Sequence, residues 1–486
     1  VRTMPNPATM KYAEGDSIDN NPWTRRYLED WGIQLVYKWT VAGDQWAEKV
    51  NLMIASTDLP DVFQVTSLQF QQLYEAGLLA DQTEGFEKYA TDYTKQVIFE
   101  SGDGQYNSAL RDGKLMAIPF TGLPREGIQF LSVRSDWEKE LGLQGINTWD
   151  DLVTYMKAFK EKADGNYGYT SDSNLDYLYR LFSCFNAYPK MWVEKDGALA
   201  YGAIQPETRE ALLAVQKLYA DGLLDPEFGT RDGAKTVELL SSGKLGIFPI
   251  SFSGPLYPWQ SVKNNFPEAD VSFYPIPTVA GGAAIAGHEL GTMGYWVATK
   301  DCKNPEAITM MLNTWTEVFY ANTDDEVYKT MVNWEDGTEE WINAFVQTYR
   351  GFKNLDGYYH TIDVINGKMT PDQMTPEERG VYAKIEQAIA GDNSMWCWNR
   401  IYGVDGALKI VDDYKTNNRY LQNAFTGNPT ESMSDYNAIL EKLQLETFTK
   451  IIQGADIAEF DAFVDQWLTL GGADITDEVN EWKAAQ

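Results

Sequence analysis

Two histidines, His288 and His360, are all the imidazole this chain carries, and they set the first limit on its chemistry. A zinc centre built on several histidines has no material, and a nucleophile–histidine–acid triad has little. With 71 Asp and Glu residues, paired carboxylates are unavoidable, so no pair is singled out for cleaving a glycosidic bond. No G-x-S-x-G, no H-E-x-x-H, no P-loop and no G-x-G-x-x-G in a strand–helix setting occurs. The chemistry this sequence concentrates is non-covalent, with 16 Trp and 28 Tyr among its residues. Its densest aromatic run is Met395-Trp396-Cys397-Trp398-Asn399-Arg400-Ile401-Tyr402-Gly403. If the run is extended, period-two alternation puts Trp396, Trp398 and Arg400 on one face, two rings beside a guanidinium. If it is helical, that geometry fails and the tryptophans only seal a core.

The elements that must hold such residues belong to an ordinary folded chain of 486 residues, 44% hydrophobic and 23% charged, too long for one core. Two or more domains are expected. The net charge of −31 repels phosphate backbones and anionic lipid, which excludes nucleic acid as a partner. No apolar run reaches membrane-spanning length. Cys184, Cys302 and Cys397 are odd in number and far apart, so a disulfide scaffold is excluded; they read as free buried thiols, with one bridged pair left open. The chain begins at Val1 without an apolar leader, and an export segment removed ahead of it is the expectation.

Along the chain, strand and helix patterns alternate as in α/β proteins. Ile33, Leu35, Tyr37 and Trp39 alternate like one face of a strand, Trp46, Val50, Met53 and Ile54 recur at helical spacing, and Asp61 to Val65 reads as a short strand. A second such unit starts at Phe130 to Val133 and continues into a helix opened by Thr148 and Asp151, with Leu152, Tyr155, Met156 and Phe159 on its apolar stripe. Pro206 and Gly222 bracket another helix. Strands follow at Leu245 to Ile250, Val271 to Ile276 and Gly294 to Ala298. From Pro305 onward the chain reads as mostly helical, with a capping box of Thr375 and Glu378.

Several segments, in order, resemble the family 1 extracellular solute-binding proteins, in particular the lipoprotein-type substrate-binding components of Gram-positive ABC importers. Thr57-Asp58-Leu59-Pro60-Asp61-Val62-Phe63 is similar to the family's GDLPD turn, and Arg111-Asp112-Gly113-Lys114-Leu115-Met116-Ala117-Ile118-Pro119 to its approach to the hinge. Arg134-Ser135-Asp136-Trp137, Leu141-Gly142-Leu143 and Thr148-Trp149-Asp150-Asp151-Leu152 follow its next passage, and Ser242-Gly243-Lys244-Leu245-Gly246-Ile247-Phe248 its later strand. Asn304-Pro305-Glu306-Ala307, Leu470-Gly471-Gly472 and Val479-Asn480-Glu481-Trp482 complete the series. Some relatives carry a calcium loop after the helix ending in Phe-Lys-x-Lys; here only Asp164 and Asn166 remain as ligands, with Asp172 a distant third, so no metal is expected.

The resemblance implies an α/β, two-lobed periplasmic-binding-protein-like fold (type II cluster) with a helical C-terminal layer. It places residues 1–131 plus about 298–394 in one lobe and 132–297 plus about 395–486 in the other, with hinge crossings near 118–132, 292–300 and 390–400. It implies no enzymatic activity and no cofactor, but capture of an oligosaccharide between lobes by hinge closure and delivery to the membrane permease subunits of an ABC importer. The expected protein is an extracellular monomer, lipid-anchored through a cysteine ahead of Val1. A sugar needs rings against its C–H faces and polar side chains at its hydroxyls. The loop and strand-end candidates are therefore Trp23, Gln64, Phe120, Tyr257, Trp259, His288 beside Glu289, and Trp396, Trp398 and Arg400. A peptide or other polar-metabolite receptor of the same fold stays open, and a glycoside hydrolase ranks below both.

Overall fold

The computed structural model describes residues 2–4, 11–162, 165–332 and 339–485. The chain divides into two compact units, residues 1–124 with 290–380 and residues 125–289 with 381–486, and it crosses between them at 124/125, 289/290 and 380/381. No described helix is long and apolar enough to cross a membrane.

The first unit is built on a three-stranded antiparallel sheet in which Gly294–Ala298 lies between Val62–Val65 and Ile118–Phe120. In register, Trp296 faces Gln64 on one side and Ile118 on the other. Helices Pro22–Trp31, Ser67–Glu75 and Ala307–Thr316 bury Trp23, Phe70 and Trp315 in the core. The first of these helices starts where local chemistry dictates: the Asn21 side chain accepts from the backbone of Trp23 and Thr24, and Pro22 occupies the first helical position.

One expected strand is absent among the described residues. Ile33, Leu35, Tyr37 and Trp39 do alternate with exposed neighbours and pack against the core, yet residues 32–38 pair with no other described strand, and described ladder bonding begins only at Thr40–Ala42. Alternation records which side chains are covered. It does not guarantee a partner for the backbone.

The second unit repeats the plan. Phe130–Arg134 lies between Ile247–Ile250 and Val271–Tyr274, antiparallel to both. Helix Trp149–Glu161 opens with the Thr148–Asp151 capping box, and Pro206–Ala220 starts on its proline. Gly246, in the segment resembling a family strand, has a structural reason to be glycine: a Cβ there would sit 2.3 Å from Cδ2 of Phe159. Helices Glu431–Ile452, Ala458–Trp467 and Ala473–Ala484 form a helical C-terminal layer over this core through Phe448, Phe463, Trp467 and Val479. Burying a side chain of that size contributes roughly 1.5–3 kcal/mol before entropy is counted. Cys184 and Cys397 are buried, Cys302 is half-buried, and all are free.

Candidate functional site

The aromatic run that opened the analysis is helical, not extended. Trp396–Tyr402 forms a helix after the turn Asn393–Met395, in which the Asp392 side chain accepts from the backbone of Ser394. Helical spacing separates the expected trio. Trp396 and Arg400, four residues apart, both reach Asp270: the indole Nε1 donates at 3.1 Å and the guanidinium pairs with the carboxylate. Trp398 instead lies under Lys384, 4.6 Å from the ammonium to the ring centroid. The buried residues of this helix are Cys397, Ile401 and Tyr402.

Three other expected residues lie in the cores. Trp23 is fully buried, donates from Nε1 to the Met331 carbonyl at 2.9 Å and packs on Trp315. Phe120 is buried against Trp296 and Tyr349. Trp259 is buried and donates to Ser132 Oγ at 2.7 Å, while Ser132 donates on to the Phe248 carbonyl. All three rings are buried. Gln64 is half-buried in its strand, and Tyr257, at 64% exposure, is open. Asp164 lies outside the described residues; Asn166 is buried with its amide donating to the Phe159 carbonyl at 3.0 Å. Among the described residues no cluster of His, Cys, Asp and Glu is placed to hold a metal ion.

His288 is different. It lines a cavity of about 250 Å³ within the second unit, walled by Tyr179, Tyr188, Met191 and Ile276 and edged by Gln129, Asp176, Arg180, Lys190 and Glu289. Ala286–His288 forms its floor and runs parallel to Tyr420–Gln422, a strand outside the lining, with His288 opposite Gln422. Gly287 permits the close approach of the wall, since a Cβ there would meet Met191 Sδ at 2.6 Å and the Tyr188 ring at 3.0 Å. Tyr188 is held by its hydroxyl donating to the Ile285 carbonyl at 3.0 Å, and burial pushes that phenol up to about 12. Lys190 spans the mouth, paired with Asp176 at 2.7 Å and lying 5.1 Å from the Tyr179 ring centroid.

Asn423 fixes the end of this floor. Its Oδ1 accepts from the Trp192 backbone at 3.0 Å, its Nδ2 donates to Glu289 Oε2 at 2.8 Å, and its own N–H donates to the His288 carbonyl at 2.8 Å. The His288 ring contacts the Glu289 carbonyl oxygen through Nδ1 at 2.7 Å. A carbonyl only accepts, so Nδ1 carries the proton and Nε2 is left as a lone-pair acceptor. Burial lowers the imidazole's proton affinity below its ordinary value, the contact with the Glu289 carbonyl opposes this, and the positive charge of Arg125 adds to the lowering.

The unsatisfied groups single out this place. Among the described residues of the second unit, the buried side-chain polar atoms without a hydrogen-bond partner are Arg125 Nε, Gln129 Oε1, His288 Nε2 and Tyr420 Oη. They are neighbours: Gln129 and His288 line the same cavity, the His288 and Tyr420 rings meet edge to face at 5.9 Å, and Arg125 lies 5.4 Å over the Tyr420 ring. Buried polar groups left unpaired cost about 1–3 kcal/mol each, so four in one place mark a surface built to be satisfied by something else. Two tyrosine rings beside a set of unpaired acceptors and donors can hold a polyhydroxylated molecule.

Gln129, Tyr179, Tyr188, Arg125, Tyr420 and Asn423 were not expected from the sequence. Gln129 directly precedes a strand, Tyr179 sits in the short helix Asp176–Phe182, and Tyr420 opens a three-residue strand in a region read as helical. The sequence points to this region only through His288, which approaches the strand expected at Gly294 to Ala298.

The comparisons with known proteins agree with the architecture. The family model for bacterial extracellular solute-binding proteins matches residues 15–317. The chain is 23% identical over 278 residues to the fructooligosaccharide ABC transporter substrate-binding protein FusA of Streptococcus pneumoniae, covering 53% of this chain and 49% of that protein. It is 26% identical over 246 residues to lipoprotein LipO of Bacillus subtilis, covering 47% and 46%. The chain thus spans about half the length of these curated relatives. Among solved structures, an HMO-binding ABC-transporter-associated solute-binding protein from Bifidobacterium longum infantis superposes with a TM-score of 0.65 at 18% identity, covering 99% of this chain and 97% of that one. Alginate-binding protein AlgQ2 gives 0.60 at 17%, covering 95% and 94%, and FusA of S. pneumoniae with kestose gives 0.58 at 17%, covering 100% and 99%. These likenesses show the fold, which is two-lobed and periplasmic-binding-protein-like. With its family model matched over more than half its length, the chain belongs to the bacterial extracellular solute-binding proteins.

Proposed function

We propose that this chain is the substrate-binding component of an ABC importer and that its ligand is an oligosaccharide, captured without chemical change and passed to membrane permease subunits. The observation that carries the reading is a cavity walled by Tyr179 and Tyr188 and lined by Gln129 and His288, whose Oε1 and Nε2 have no partner, with Tyr420 packed on the His288 ring and Arg125 over Tyr420. Sugar hydroxyls pair with both donors and acceptors, and tyrosine rings cover C–H faces. The oligosaccharide-binding names of several relatives, FusA, the HMO-binding protein and AlgQ2 among them, support the same class. In this reading the protein works outside the cell as a monomer tethered by lipid, as the name of LipO supports for the tether. The two units are its lobes, with the hinge at the three crossings. Of the residues expected from sequence, His288 is retained as a ligand contact, and the open ring of Tyr257 and the half-buried ring of Trp398 are further stacking candidates.

A thermal-shift screen against glycan and peptide panels tests this. A ligand at a hundred times its dissociation constant adds about 2.7 kcal/mol to folded-state stability. The expected result is a shift with oligosaccharides and recovery of the sugar unchanged. Turnover of the sugar, or shifts from peptides alone, would refute it.

A further inference from the structure

The cavity holds one side chain whose hydrogen-bonding role the geometry fixes. His288 is 8% exposed, its Nδ1 contacts the Glu289 carbonyl oxygen at 2.7 Å, and its Nε2 is buried with no partner. A ring held that way is an acceptor at Nε2 and nothing else. Its position is set from several directions, by the parallel pairing of its strand with Tyr420–Gln422, by the Asn423 N–H on its carbonyl, and by the edge of the Tyr420 ring. Gln129, on the same cavity, has its carbonyl oxygen equally buried and unpartnered.

We propose that His288 is the specificity-determining hydrogen-bond acceptor of this receptor: a hydroxyl of the bound sugar donates to Nε2, with Gln129 taking or giving a second bond to the same ring. This rests on the receptor reading above and names which part of the ligand is read, a hydroxyl donor. A sugar alkylated or deoxygenated at that hydroxyl has nothing to donate and leaves Nε2 unpaired. Arg180 lines the cavity without an ion-pair partner among the described residues, beside Lys190, Asp176 and Glu289.

The same geometry gives the site an acid limit. A protonated imidazole has donors at both nitrogens, and a ligand hydroxyl can no longer donate to Nε2. The groups around the ring are Glu289 on its own strand, Tyr420 on the neighbouring strand with Arg125 over its far face, Glu126 and Asp412 within electrostatic reach of Tyr420, and Asp176, Arg180 and Lys190 on the other cavity walls. Of these side-chain types, the imidazole is the one whose ordinary range of charge change falls between pH 5 and 8. Because burial lowers its proton affinity, affinity holds through neutrality and falls in acid.

Calorimetric titration of the full chain with three trisaccharide probes, fructosyl, galactosyl and galacturonosyl, at pH 7.5 and 5.0 tests the proposal, with melting temperature recorded throughout. For a probe that binds, His288→Ala is expected to weaken affinity tenfold or more. His288→Gln, which keeps a hydrogen-bonding group near the Nε2 position and does not titrate, is expected to recover part of it. Wild type is expected to weaken several-fold from pH 7.5 to 5.0, and His288→Gln to show no such change. If His288→Ala does not fold, the contrast in pH profile between wild type and His288→Gln decides. Equal wild-type affinity at both pH values, or a pH loss that persists in His288→Gln, overturns the role of His288 and leaves the receptor standing. If no probe binds wild type while peptides do, the receptor reading falls and this one with it.

Discussion

The two units are made on one plan, a three-stranded antiparallel sheet under helices, and they use their aromatic residues to different ends. In the first unit, Trp23 packs on Trp315 and Phe120 on Trp296, and the indoles of Trp23, Trp296 and Trp315 each donate to a backbone carbonyl. In the second, much of the aromatic surface is likewise core, but Tyr179 and Tyr188 stand beside polar atoms that nothing in the unit satisfies. The first unit has orphaned atoms too, such as Tyr37 Oη, Gln82 Oε1, Gln105 Oε1 and Arg350 Nε, none on a residue that lines the cavity of the second unit. Aromatic abundance therefore marks packing. Ligand chemistry shows where unpaired polar groups collect against rings.

The strongest way to break this contrast is Trp23→Ala. Losing a fully buried indole and its bond to Met331 should cost about 3–5 kcal/mol in urea unfolding, with ligand affinity of the folded fraction unchanged. Lost affinity at full folding would return Trp23 to the site. Asn423→Ala should cost less, about 1–3 kcal/mol, because it leaves the Trp192 N–H without its acceptor. Unlike Trp23→Ala, it should also weaken binding, since Asn423 holds Glu289 and the end of the His288 strand. Unchanged affinity at the reduced stability would separate the cavity from its floor.

The smallest effect distinguishes the two histidines. His360, in the first unit, contacts Glu378 at 3.0 Å; that bond raises its proton affinity against a smaller opposing effect of burial, and Glu378 is correspondingly lowered. A raised folded-state value stabilises the protein below the unfolded value of about 6.5 and is lost as pH rises through the higher folded value. His288 has the opposite sign: its lowered value means that protons favour the unfolded chain, so stability falls as pH drops below about 6.5. His360→Asn should therefore lower the melting temperature at pH 6 more than at pH 8. His288→Gln should do the reverse, flattening the acid loss. Equal shifts at both pH values would contradict the assignment; the His360 effect is modest because the pair is partly exposed.

Local signals in the sequence were read correctly where the physics is local. The Thr148–Asp151 and Thr375–Glu378 capping boxes and Pro206 at a helix start all form as expected. Errors came where tertiary context decides. Ile33 to Trp39 alternates because one side is covered, without a neighbour among the described residues to complete a ladder. Met395 to Gly403 carries helical spacing as well as period two, and burial of Cys397, Ile401 and Tyr402 with Trp396 and Arg400 both on Asp270 selects the helix. The cavity joins residues near 129, 176–191, 276 and 286–289, with 420–422 paired beside its floor, separations over which no periodicity speaks. His288 is a candidate because it approaches the strand expected at Gly294 to Ala298, whereas Gln129 and Tyr188 carry no mark that a single sequence reveals.

Because the chain has only two histidines, nitrogen NMR of imidazole-labelled protein reports on the site and carries its own control. At pH 7.5, with Nδ1 of His288 protonated, saturation with an oligosaccharide that binds by calorimetry should move the His288 Nε2 resonance toward that of a hydrogen-bonded acceptor and leave His360 where it was. Tight binding with both histidines unmoved would contradict the account.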